Sequence, residues 1–194
     1  YILDCKENAT IVIGHNAKTK EELGRMIHEG KWSEFIREIP IKKGDFLQID
    51  PGTVHAIKGG TLILETQQNS DITYRVYDYD RLSNGKPREL HVDKSMDVIT
   101  VPAKSVEDSV KSAADLPVNT LNELYACKYF HIYKLEVSGK MTFEQKAPFM
   151  NMTVTEGNGI INGRPVKKGD HFILPDGFGM AELQGNMQII ASTI

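Results

Sequence analysis

The chain has 194 residues, 40% of them hydrophobic and 25% charged, which is enough for one large or two small domains, each with its own core. A net charge of only −3 gives no bulk preference for nucleic acid or an anionic membrane surface, and no apolar run approaches the roughly 20 residues of a membrane helix, so neither partner is expected. Cys5 and Cys127 stand far apart and no segment has the order of a secretory signal, which argues against a disulfide framework and for a cytoplasmic location.

Tyr1-Ile2-Leu3-Asp4-Cys5 has the pattern of the second half of a strand, without an initiator methionine, so further sequence is expected upstream. Thr10 to Gly14 is a second β-type run, and Lys6-Glu7-Asn8 between them suggests a hairpin. The pattern then becomes helical. Thr19 followed by Glu22 fits a capping box, Leu23, Met26 and Ile27 continue at helical spacing, Gly30 ends the helix, and Trp32, Phe35 and Ile36 mark a second short one. This places a helical insertion at about residues 19–38.

Strand and turn punctuation returns at Ile39, with strands expected at Phe46 to Ile49 and Thr61 to Glu65. Short strands at regular spacing imply a mainly β sandwich or barrel. Residues 101–128 are poor in aromatics and contain Pro102 and Pro117, which predicts a linker, and a second β-rich block covers 129–194. In that block Gly157-Asn158-Gly159 and Asn162-Gly163 are expected as hairpin turns.

An internal echo links the two halves. Lys42-Lys43-Gly44-Asp45 recurs as Lys167-Lys168-Gly169-Asp170, and Gly52 and Gly177 each follow eight residues after the glycine of that turn. Both copies resemble the second cupin motif. In the first, Gly44 begins it, Asp50-Pro51-Gly52 turns and His55 closes it; in the second, Gly169 begins it, Pro175-Asp176-Gly177 turns, but Met180 stands in the histidine position. A histidine just past a tight turn at a barrel mouth can point inward at a metal, so His55 is the candidate ligand. His15, His28, His91, His131 and His171 have no such context and are assigned to surface or satisfied core.

The most specific segment is Leu64-Glu65-Thr66-Gln67-Gln68-Asn69-Ser70-Asp71-Ile72-Thr73-Tyr74-Arg75-Val76-Tyr77-Asp78-Tyr79-Asp80-Arg81. It closely resembles the signature of the short bacterial mannose-6-phosphate isomerases, and the likeness extends over essentially the whole chain. The resemblance implies tandem cupin-type barrels: residues 1–100 as the remainder of a first, catalytic barrel, 101–128 as linker, and 129–194 as a second barrel without metal. It implies interconversion of mannose 6-phosphate and fructose 6-phosphate, with one zinc ion held by two histidines and a glutamate. His55 falls on one of those ligands; the others belong to a first cupin motif upstream of Tyr1, and Glu65 is not the metal glutamate.

The same resemblance places Arg75 on an active-site arginine and Glu65 on an acidic residue lining the pocket. Arg81 falls where longer relatives carry lysine, which leaves it a candidate for the substrate phosphate. These types suit the chemistry, since a fixed guanidinium offsets negative charge developing on sugar oxygens and a carboxylate moves the proton. A chain supplying one of three protein ligands is expected to have negligible activity alone. Blander readings stand beside these: Arg75 and Arg81 as surface ion pairs, Tyr74, Tyr77 and Tyr79 packed on one sheet face, and Trp32 as core of the insertion. The alternative function is a non-enzymatic double cupin that binds a sugar or sugar phosphate.

Overall fold

The structure, a computed structural model, describes residues 1–70 and 72–194; Asp71 of the signature lies outside them. The chain divides into two compact units, Tyr1–Lys111 and Ser112–Ile194. The first contains β1 (Ile2–Cys5), β2 (Thr10–His15), α1 (Lys20–His28), α2 (Trp32–Phe35), β3 (Ile36–Pro40), β4 (Asp45–Leu47), β5 (His55–Ala56), β6 (Thr61–Ile63), β7 (Leu82–Ser83), β8 (Lys86–Pro87), α3 (Val92–Val98) and α4 (Val106–Ser109), with β9 (Val110–Ser112) at its end. The second contains β10 (Asn122–Ala126), β11 (His131–Gln145), β12 (Phe149–Ile161), β13 (Arg164–Lys167), β14 (His171–Pro175) and β15 (Gly179–Thr193).

β1 and β2 form where the sequence puts strands, but they do not make the expected hairpin. β1 pairs with β6, while β2 takes β3 on one edge and β5 on the other. β2 is buried from Ile11 to His15, so its backbone groups need partners on both sides, and burial rather than the nearby turn signal decides the pairing. The helical insertion is capped as expected: the Thr19 hydroxyl accepts the Glu22 N–H at 3.2 Å, and the Glu22 carboxylate reaches back to the Lys18 N–H at 2.7 Å. Leu23, Met26 and Ile27 of α1 pack with Phe35 and Ile99 in one core cluster, and Ile2, Ile11, Ile13, Ile39 and Ile41 form another.

The second unit is built from longer strands. β11 pairs with β15 residue for residue from His131↔Thr193 to Gln145↔Gly179, and β12 lies along the other edge of β15. Leu135, Val137, Met152, Val154, Leu183 and Ile189 line a continuous core. Midway, Gly139, Gly185 and Gly159 sit opposite one another on three adjacent strands. A Cβ on Gly185 would lie 2.7 Å from the Asn158 oxygen, so this close approach of backbones requires glycine.

The mainly β class is what forms, but no closed barrel does among the described residues. In the second unit β10 ends one edge of the sheet and β13 and β14 pair only with β12, while the strands of the first unit fall into four small sheets. Strands of two to six residues give too few ladder bonds to close a staggered barrel. The stretch read as a linker, 101–128, carries α4, β9 and β10 and buries Ser109 and Ala113. Gly157-Asn158-Gly159 lies inside β12 rather than in a turn, because β15 and β13 flank it on both edges; Asn162-Gly163 does form the hairpin turn, both residues with positive φ. Both cysteines are free, and no described helix is long and apolar enough to cross a membrane.

Candidate functional site

The two motif copies share one turn. In the first, the Lys42 N–H donates to the Asp45 carboxylate at 2.9 Å and the Asp45 N–H to the Lys42 carbonyl at 3.1 Å; in the second, Lys167 and Asp170 repeat both bonds at 2.9 and 3.0 Å. Gly44 and Gly169 both have φ +91°. The copies diverge at the next turn. A Cβ on Gly52 would lie 2.6 Å from the Val98 oxygen and 2.7 Å from the Thr100 hydroxyl, whereas the same position on Gly177 is open. The first copy is therefore walled in by residues 98–100, and the Thr100 N–H donates to the Gly52 carbonyl at 3.0 Å.

That wall positions β5. Ile13 pairs with His55, and the Gly14 N–H donates to the Val54 carbonyl at 2.7 Å. The His55 ring places Nδ1 2.9 Å from the Thr53 carbonyl, so Nδ1–H donates and Nε2 keeps its lone pair. His55 is exposed, and this tautomer is the one a metal-ligating histidine takes when its other nitrogen donates to a backbone carbonyl. Met180 in the second copy is also exposed and offers no such nitrogen.

Arg75 lies in an irregular loop held by three contacts. Trp32 of the helical insertion stacks on Tyr77 with ring centroids 4.5 Å apart, Tyr77 leans on Tyr79 at 4.7 Å, and Tyr74 packs near His91 at 5.9 Å. Tyr77 and Tyr74 thus pack on rings from other segments and Tyr79 on Tyr77, not all on one sheet face, since no strand forms there. Asp78 is buried and accepts from Arg88, through Nε at 2.7 Å and through a close Nη2 contact, and from Arg81 Nη2 at 2.5 Å. The Arg88 guanidinium first, then that of Arg81, holds its carboxyl well below the usual carboxylate range. Arg75 itself is half-buried, and its guanidinium has no ion-pair partner among the described residues.

Glu65 is exposed beyond the end of β6, and exposed Arg81 is committed to Asp78, as the surface-pair reading has it. A cavity of about 340 Å³ adjoins the Asp50-Pro51-Gly52 turn, lined by His15, Asp50, Gly52, Thr100 and Lys104 among others; His55 and Arg75 are not part of its lining. Asp50 is held below the usual carboxylate range by the Gln48 amide at 2.9 Å and by Lys104 at 3.0 Å. Buried His15 stacks on Phe35 and reaches the Thr100 carbonyl through Nε2 at 2.9 Å, while its Nδ1 has no hydrogen-bond partner among the described residues; burial pushes its pKa down. His15 and His91 both carry contacts that no spacing in the sequence singles out.

Zinc is tested by this donor set. His55 has the right tautomer to be one ligand, but among the described residues no group of three or more His, Cys, Asp and Glu side chains is placed to hold a metal. The residues present fit a single ligand and not a complete site.

Fold and motif together define a mainly β protein with a repeated turn that resembles the cupin motif. Residues 120–194 match the family described as "Mannose-6-phosphate isomerase, cupin domain". The chain is 48% identical to mannose-6-phosphate isomerase ManA of Bacillus subtilis over 199 residues, covering 99% of this chain and 62% of that protein, and 40% identical to a mannose-6-phosphate isomerase of Streptococcus mutans, with 99% and 62% covered. A crystal structure of the mannose 6-phosphate isomerase from Bacillus subtilis superposes with a TM-score of 0.88 at 45% identity, over 100% of this chain and 63% of that one. Over its length the chain is similar to mannose-6-phosphate isomerases, and it spans 62–63% of the length of these relatives.

Proposed function

We propose that this chain carries part of the active centre of an aldose–ketose isomerase that interconverts mannose 6-phosphate and fructose 6-phosphate. The observation that carries the reading is the His55 contact: the Thr53 carbonyl, 2.9 Å from Nδ1, accepts a hydrogen bond from Nδ1–H, which leaves the Nε2 lone pair of an exposed ring at the histidine position of a cupin motif. The identity to proteins named mannose-6-phosphate isomerase supports it.

In this reading the two motif copies mark tandem cupin units, the second serving as scaffold because Met180 replaces the ligand histidine. His55 is one zinc ligand, and a bound zinc supplies Lewis acidity. The remaining steps belong to the chain's own residues. Isomerisation breaks the C2–H bond, forms a C1–H bond and moves a hydroxyl proton from O2 to O1. Arg75 offsets the negative charge that develops on those oxygens, and its guanidinium, without an ion-pair partner among the described residues, is available to do so. The Glu65 carboxylate moves the carbon proton, and Arg81 meets the phosphate after exchanging its contact with Asp78 for the substrate.

The test joins this chain to the part of Bacillus subtilis ManA that it does not span. The fusion is expected to turn over mannose 6-phosphate in a zinc-dependent way and to lose that activity in His55→Ala, while the 194-residue chain alone has negligible turnover. Full activity of the fusion with His55→Ala would reject the reading. Binding of mannose 6-phosphate without turnover would favour a non-enzymatic sugar-phosphate module.

A further inference from the structure

Arg75 sits in a loop whose regular structure is limited to the two-residue strands β7 and β8, so something other than a sheet must fix its backbone. One residue contacts both of its peptide groups. The His91 N–H donates to the Arg75 carbonyl at 2.7 Å, and the Arg75 N–H donates to His91 Nδ1 at 3.3 Å. A side-chain nitrogen thus stands where a neighbouring strand would offer a carbonyl. His91 is itself anchored, since it directly precedes α3, whose far end is tied to α1 by Lys20 Nζ at 2.8 Å from the Met96 carbonyl and 2.6 Å from that of Ile99.

We infer that His91 is a positioning residue that fixes the backbone of Arg75, and that it lets go when its imidazole takes up a second proton. Only an unprotonated Nδ1 accepts from the Arg75 N–H; in the imidazolium both ring nitrogens are donors, and two donors then face each other. The charged groups that face the ring are the Glu89 carboxylate, 3.9 Å from Nε2, and the ammonium of Lys94, 5.9 Å from the centroid of the Tyr74 ring that packs against His91. The link to turnover rests on the isomerase reading above; the clamp on the backbone does not.

The decisive experiment follows the Arg75 backbone amide by NMR in the 194-residue chain. In the parent protein its proton is expected to move upfield as the pH falls, with the same midpoint as the His91 ring. His91→Phe keeps a ring and removes the acceptor, so the upfield position is expected at every pH, with amide exchange about fivefold faster, the factor a lost hydrogen bond implies. His91→Asn places an amide oxygen near the Nδ1 position, so it is expected to retain the downfield position and lose the pH dependence. In the fusion with the ManA segment, His91→Phe is expected to lower kcat about tenfold with little change in KM, and His91→Asn to restore it. An Arg75 amide indifferent both to pH and to His91→Phe overturns the inference, as does His91→Asn behaving like His91→Phe in a folded protein. If the amide responds as expected but Arg75→Ala leaves turnover in the fusion unchanged, the clamp stands and the isomerase role of Arg75 falls.

Discussion

The two units begin a motif with the same turn and then use it differently. Lys42-Lys43-Gly44-Asp45 and Lys167-Lys168-Gly169-Asp170 make the same backbone and carboxylate bonds with the same glycine φ, yet only the first copy is pressed against a following segment at its second turn. Around that copy strands are short, polar groups such as His15, Asp45 and Asp78 are buried, and an irregular loop carries Arg75. Around the other, strands of up to 15 residues enclose an apolar core, and the histidine position holds an exposed methionine. A repeated turn can therefore serve as a structural corner in one place and as the mount for a polar site in another; the difference lies in what packs behind it.

Paired substitutions sharpen this contrast. Gly52→Ala must adopt φ +82° with its Cβ against a backbone oxygen and is expected to cost about 3 kcal/mol, whereas Gly177→Ala at φ +69° in open space should cost about 1 kcal/mol, both by urea unfolding. Equal costs would break the comparison. Next in size, Asp45→Ala removes the acceptor from a buried turn and should cost about 2 kcal/mol, against about 1 kcal/mol for half-buried Asp170→Ala. Smaller still is the effect of acid.

Burial lowers the pKa of His15, so the folded state favours the neutral ring. Its contribution is fully present above about pH 6.5 and is lost as the pH falls through the depressed folded value. The lowered carboxyls of Asp78 and Asp50 add a contribution that is complete above about pH 4 and is lost below it. Denaturation between pH 7 and 5 should therefore loosen the first unit, and His15→Phe should remove that part of the acid sensitivity; an unchanged pH profile in this variant would count against the account.

Much of this was legible from local signals. The capping of α1 by Thr19 and Glu22, the helix stop at Gly30, the Asn162-Gly163 hairpin and the repeated lysine-glycine-aspartate turn depend on a few adjacent residues, and the structure forms each of them. Non-local pairing was not legible. β1 and β2 look like a hairpin because the turn between them is local, whereas their real partners, β6 for one and β3 and β5 for the other, lie up to 61 residues away and are chosen by burial. Gly157-Asn158-Gly159 has turn composition but serves close packing between strands.

For the site, the motif spacing singled out His55 and the signature singled out Arg75, and the structure adds how each is held. His91 and His15 are assigned from sequence to surface or satisfied core because a lone histidine carries no periodicity, and their partners, Arg75 and Thr100, are 16 and 85 residues distant. Arg81 pairs with Asp78 three residues away, a short-range contact that the acidic run makes legible beside its candidate role at the phosphate.

The central claim is that Thr53 presets His55 as a nitrogen ligand. Long-range proton–nitrogen NMR of the histidine rings in the 194-residue chain at neutral pH tests it without any metal or substrate. The account predicts that His55 carries its proton on Nδ1 with the lone pair on Nε2. A ring protonated on Nε2, with a free Nδ1, would contradict it.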